Sequence, residues 1–139
     1  MVLNDLYTKA KELDIAIYDR KLTHSTSFSH MDNGLNCYVA LDYSRIHTSA
    51  EEKTILGHEV AHCVTGSFYN RYSPFDVRQK HENRATRREV LELIPIDELV
   101  TALRDPWHSV YDLSERFGVT EDFMRKALEI YRDELEAMM

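Results

Sequence analysis

Leu3, Leu6, Ala10 and Leu13 recur at three- and four-residue intervals, the spacing that gathers apolar side chains on one face of a helix, and they predict a helix over residues 2–13. The pattern then changes period. In DIAIYDR, Ile15 and Ile17 alternate with polar neighbours and predict a half-buried strand. TSFSHMDNGLNCYVALDY reads as a hairpin: Asp32, Asn33 and Gly34 are expected to supply its left-handed turn residues, and residues 37–43 are β-prone. Ser49 and Glu52 form a Ser-x-x-Glu capping box that starts the next helix, and Gly66 is expected to stop it after Thr65. Ile55, Leu56, Val60 and Val64 are its apolar positions.

A loop, SFYNRYSPFD, leads to a third helix over about residues 76–94, ended by Pro95. Beyond it the pattern predicts a helix near 96–104 and then two helices broken at Gly118, with Thr120 capping the second. Leu113, Phe117, Val119, Phe123 and Ala127 form the apolar interior of that last pair, and Trp107 and Tyr111 are expected to cement its packing. Short strands set among helices make this an α+β chain.

With 139 residues the chain is one domain in size, and its 43% hydrophobic and 29% charged content is that of a globular protein. Apolar runs reach only four or five residues, against the roughly 20 a membrane helix needs, so no membrane partner is expected. The start, MVLNDLYTKAKEL, lacks the basic and apolar regions of a signal peptide. Cys37 and Cys63 stand in no CxxC pair, which fits a reducing cytoplasm. The net charge of −7 argues against nucleic acid as the main partner, because phosphate binding needs a basic face. That charge is uneven. Residues 1–95 carry 12 Lys+Arg against 13 Asp+Glu, and residues 96–139 carry 5 against 11. The chain is accordingly divided at Pro95 into a catalytic body, 1–95, and a helical C-terminal segment, 96–139, packed on it.

The chemistry is concentrated in the second helix. His58, Glu59 and His62 form HExxH, and on a helix positions i and i+4 stack, so both imidazoles can face one ion. Glu59 lies about 100° round the helix, able to reach a water at the ion without binding the ion itself. A shuffled chain of this composition would carry the pattern in roughly 3% of cases, even before a helix is required. Two histidines fix the cation, an open position holds a water with its pKa lowered to about 7, and Glu59 is the general base. Zn2+ suits these ligands better than Mn2+. A tetrahedral site needs a third ligand from the chain. Glu82, on the returning helix, is one candidate and its neighbour His81 is the other, with Ala85 small enough to let the two helices approach.

EEKTILGHEVAHCVTGSFYN together with YSPFDVRQKHENRATRREVLELIP resembles the ImmA/IrrE family of metallopeptidases over most of residues 36–95, and more loosely into DLSERFGVTEDFMRKAL. The resemblance implies a small zincin-like domain with a short antiparallel-containing sheet. It implies metal ligation by His58, His62 and Glu82, and catalysis by Glu59. It also implies proteolysis of a cytoplasmic regulatory protein of the transcriptional repressor type, in a phage or mobile-element setting. One position departs from the family pattern: Thr86 stands where Asp or Asn is usual, in a place suited to hydrogen-bonding the far nitrogen of a metal histidine. Glu89, a turn further on, reads as a surface carboxylate that could stand in.

Tyr69, Tyr72 and His81 flank the expected cleft and are the candidate donors to a tetrahedral oxyanion. Arg78, Lys80, Arg84, Arg87 and Arg88 read as a solvated basic face. The final helix pair imitates a helix-turn-helix, but its second helix is dominated by acidic residues, so it is expected to meet protein and not DNA. Two other functions remain compatible with the residues: a metal-binding partner of a repressor with no turnover, and a DNA-binding regulator.

Overall fold

Cys37, Val39 and Leu41 point the same way along one strand and are all buried, so this strand forms the floor on which the rest is assembled. The structure is a computed structural model that describes residues 1–70 and 72–139; Arg71, within the expected loop, lies outside the described residues. The elements run α1 (Leu3–Glu12), β1 (Ala16–Asp19), β2 (Ser27–Met31), β3 (Cys37–Leu41), a short 3-10 turn (Tyr43–Arg45), α2 (Ser49–Thr65), α3 (Phe75–Leu93), α4 (Ile96–Leu103), α5 (Val110–Phe117), α6 (Glu121–Ile130) and α7 (Arg132–Met138).

The sheet has the order β1-β3-β2. β1 pairs with β3 in parallel, Ala16 opposite Tyr38, and β2 pairs with β3 antiparallel, Ser27 opposite Leu41. β2 is therefore an edge strand, and its Phe28 side chain is exposed. The hairpin forms where expected, but the left-handed residue is Leu35 (φ 63°) and not Gly34. The turn is closed by Leu35 N–H donating to the Asp32 carbonyl, and the Asp32 carboxylate accepts from the backbone N–H groups of Gly34 and Asn36. A turn followed by one left-handed residue is the longer hairpin geometry, and it moves the strained position one place along the chain.

α2 begins one residue away from the expected cap. Thr48 is the N-cap, its hydroxyl accepting from Glu51 N–H, while the Glu51 carboxylate accepts from His47 N–H. At the other end Gly66 adopts φ 64° and ends the helix as expected. α3 lies against α2. Ala85 is fully buried in that contact, and so is the face of Gly57: a Cβ there would stand 2.7 Å from Glu89 Oε2 and 2.9 Å from Leu93 Cδ1.

The C-terminal helices share the core of the body. Leu113, Phe117, Val119, Phe123, Met124, Ala127 and Tyr131 are buried in the same cluster as Leu56, Val60, Leu93 and Ile94. Three polar ties reinforce the contact: Lys53 Nζ donates to the Phe117 carbonyl, Thr120 N–H to Thr54 Oγ1 and the Tyr131 hydroxyl to the Ile94 carbonyl. Thr120 caps α6 as expected, and α5 carries its own Ser109–Asp112 capping box. Trp107 and Tyr111 do not cement this packing. Trp107 is 86% exposed and Tyr111 56%, because they sit in and just after the α4–α5 loop, outside the apolar stripe.

Cys37 and Cys63 are joined by a disulfide from β3 to α2. With this pairing goes the ground on which cysteine usage pointed to a reducing compartment. Nothing in their spacing signals the pairing, which follows from α2 lying on the central strand. Among the described residues, no helix is long and apolar enough to cross a membrane.

Candidate metal centre

α2 presents His58 and His62 one turn apart, and α3 returns antiparallel so that Glu82, in its second turn, meets them. Nε2 of His58 lies 2.8 Å from Glu82 Oε2, and Nε2 of His62 lies 3.1 Å from Glu82 Oε1. The two Nε2 atoms are 3.1 Å apart, with the rings edge-on at 88°. One donor atom from each of the three residues falls within 4.8 Å of the others, the one such group among the described residues. Two imidazole nitrogens and a carboxylate converging on a point are a donor set that fits a zinc ion.

His62 is fixed in a form suited to ligation. Its Nδ1–H donates to the Ser67 carbonyl at 2.5 Å, which leaves Nε2 turned toward Glu82. Gly66 makes this possible: its left-handed turn brings Ser67 back over the helix end, where Ser67 N–H donates to the His62 carbonyl. Ser67 is fully buried and His62 nearly so.

Glu59 lies beside the triad and not in it, with 7% exposure, and accepts a 2.5 Å hydrogen bond from Ser27 Oγ of β2. Ser27, Phe28 and Ser29 of the edge strand, together with Phe68 and Tyr69, wall a cleft of about 300 Å³ that contains His58, Glu59, His62 and Glu82. A wider groove runs from His58 between α3 and α6, where Thr86 and Glu89 face Phe123 and Lys126.

The charges of the centre are strongly coupled. Burial would lower the His58 pKa, but the hydrogen bond to Glu82 and the nearby Glu89 and Glu59 carboxylates outweigh it and push the value up to about 10. Glu82 is held well below the usual carboxylate range by His58 and His62, against its partial burial, with a further bond from the Tyr69 hydroxyl. Tyr69 is in turn pushed up to about 12 by burial and by that same carboxylate. Complete burial raises Glu89 to about 7, with His58 opposing.

Of the remaining sequence candidates, Tyr69 is in the cleft with its hydroxyl 2.9 Å from Glu82 Oε1, and His81 stacks on its ring at 6.3 Å. Tyr72 is 78% exposed, its N–H bonded to the Asn70 side chain. Thr86 lines the groove and makes no hydrogen bond to either histidine among the described residues. Lys80, Arg84, Arg87 and Arg88 form an exposed face, Arg87 approaching Glu134 and Arg88 approaching Glu92.

Three contributors lie outside what the motifs indicate. Ser27 and Ser67 act through a hydroxyl and a backbone carbonyl that no motif marks. Glu89, which reads in sequence as a surface carboxylate, is 2% exposed with Oε1 3.6 Å from His58 Nδ1. The sequence does hold a signal for it: Glu82, Ala85, Glu89 and Leu93 fall on one helical stripe, the stripe that faces α2.

A comparison with family profiles matches residues 10–129 to the Peptidase M78 family, described as the IrrE N-terminal-like domain. The match begins further toward the N-terminus than the sequence resemblance and, like it, runs into α6. No curated protein and no solved structure gives a match. With a profile covering all but the first nine and last ten residues, the chain belongs to the IrrE N-terminal-like family of metallopeptidase-type proteins.

Proposed function

We propose that the protein is a zinc-dependent endopeptidase that cleaves a regulatory protein of the transcriptional repressor type in the cytoplasm. The observation that carries this reading is the meeting of His58 Nε2, His62 Nε2 and the Glu82 carboxylate within 4.8 Å, with Glu59 buried beside them. A zinc ion held by these three residues supplies Lewis acidity toward the peptide carbonyl and toward water.

The chain's own groups do the rest. Glu59 accepts the proton of the attacking water and returns it to the leaving amine. The Ser27 hydroxyl holds one Glu59 oxygen, and the residue lines the cleft. Ser67 keeps His62 in one orientation. Tyr69 stands where an O–H can reach oxyanion charge, once it lets go of Glu82. An extended substrate segment lies along β2, the edge strand whose Ser27, Phe28 and Ser29 border the same cleft.

The test is metal content by mass spectrometry with a cleavage assay on candidate repressors. Wild type should carry near one zinc per chain and cut. Glu82→Ala should lose most of the zinc, and Glu59→Gln should keep the zinc and fail to cut. Zinc binding without cleavage of any repressor-type protein would move the function to a silent metal-binding partner.

A further inference from the structure

We infer that Glu89 is a positioning residue for the centre: from α3 it holds the imidazole of His58 by its Nδ1 side, so that Nε2 faces His62 and Glu82. This rests on the reading of His58, His62 and Glu82 as metal ligands.

The two histidines need the same service. His62 receives it from the Ser67 carbonyl. On the Nδ1 side of His58 the facing group is Glu89 Oε1, at 3.6 Å, a gap that a small rotation of either side chain closes. Thr86 makes no such approach among the described residues. A helix position that needed only to pack would carry an apolar residue, because burying a carboxylate without full hydrogen bonding is strongly unfavourable. Glu89 is nevertheless 2% exposed, and its Oε2 has no hydrogen-bond partner among the described residues. Lys126 of α6 and Glu59 of α2 are the other charges that act on it.

The opposite helix is shaped to receive this carboxylate. Gly57, the residue just before His58, leaves the space: a Cβ there would stand 2.7 Å from Oε2. Gly57 and Glu89 thus form a pair, one making room and the other filling it beside the first ligand.

The experiment compares wild type with Glu89→Met, Glu89→Gln, Gly57→Ala and Glu82→Ala. It reads zinc affinity by competition with a chelating dye, and the imidazole ring-nitrogen signals of the zinc-loaded protein by long-range 1H–15N spectra. Glu89→Met should bind zinc about 10- to 100-fold more weakly, the usual effect of removing a group that orients a ligand. In the zinc-loaded protein it should shift the His58 Nδ1 signal, which loses its carboxylate neighbour, while the His62 signals stay as they are. Glu89→Gln, whose amide oxygen still accepts a hydrogen bond, should restore most of the affinity. If Glu89→Met does not fold, Gly57→Ala, which pushes the carboxylate from the other side, should give the same His58-selective change. Unchanged affinity and an unchanged His58 pattern in the folded variants would overturn the inference, as would equal disturbance of both histidines together with a lowered Tm. A wild type that takes up no zinc, or a Glu82→Ala that binds as tightly as wild type, would instead sink the metal centre itself and this inference with it.

Discussion

Glu59 follows His58 directly and so lies on α2 without joining the face that carries His58 and His62, with Ser27 holding one oxygen. Exchanging that carboxylate for an amide keeps the shape and removes the group proposed as the base. Glu59→Gln should therefore leave zinc content unchanged and lower kcat by about 10²- to 10⁴-fold, the span that general-base catalysis contributes. His58 carries a second prediction at this scale. Its pKa rises from 6.5 to about 10 in the folded, metal-free protein. A group whose pKa is raised by folding adds stability that is complete below the unfolded value and lost as pH climbs through the folded one. The metal-free protein should thus lose stability between about pH 6.5 and 10 from this source. Zinc competes with that proton for the ligand set, so zinc affinity should rise over the same window. Tm against pH, with chelator and with zinc, measures both, and a flat metal-free curve would mean that His58 is not charged by its neighbours.

At the scale of elements, the helix stop and the ligand geometry are one device. Gly66 stands at φ 64°, and a Cβ added there would meet nothing within 4 Å, so Gly66→Ala brings backbone strain and no clash. About 1 kcal/mol of stability should be lost in chemical denaturation. Zinc affinity should fall as well if the turn presents Ser67 to His62. The helix and its stop are legible in the sequence because apolar spacing, HExxH and a glycine are local facts. The cap is displaced by one residue because Thr48 and Ser49 both suit it, and the Glu51 carboxylate reaches His47 N–H. Spacing alone leaves Glu82 and His81 open, and it is the tertiary meeting of two helices that puts the Glu82 carboxylate against both histidines. The burial of Glu89 needs the close approach at Gly57, which becomes visible only once α3 is laid on α2. Trp107 defeats the sequence reading for the opposite reason: an indole is assumed to be buried, and here it sits in a loop whose backbone leads it outward.

At the scale of the molecule, the C-terminal segment bears on stability. A fragment ending at Pro95 would uncover Leu93 and Ile94 and leave the Lys53 ammonium without the Phe117 carbonyl. Residues 1–95 alone should lose a cooperative thermal transition by calorimetry, and a sharp Tm for that fragment would establish it as a self-sufficient body. Reduction of Cys37–Cys63 should lower stability by about 3 kcal/mol, from the entropy a chain of this span regains in the unfolded state. Denaturation with and without a phosphine reductant gives the difference.

That cross-link has a further consequence for how the centre comes apart. It closes residues 37–63 into a covalent ring, and both histidines are inside the ring while Glu82 is outside. The ring ties the histidine pair to the central strand even when neighbouring structure loosens. Glu82 is tied to them only by the packing of α3. Loss of a zinc ion held as proposed should therefore run by detachment of one helix, at a rate set by the opening of α3, and amide exchange in α3 should keep pace with metal release while exchange in the ring lags behind.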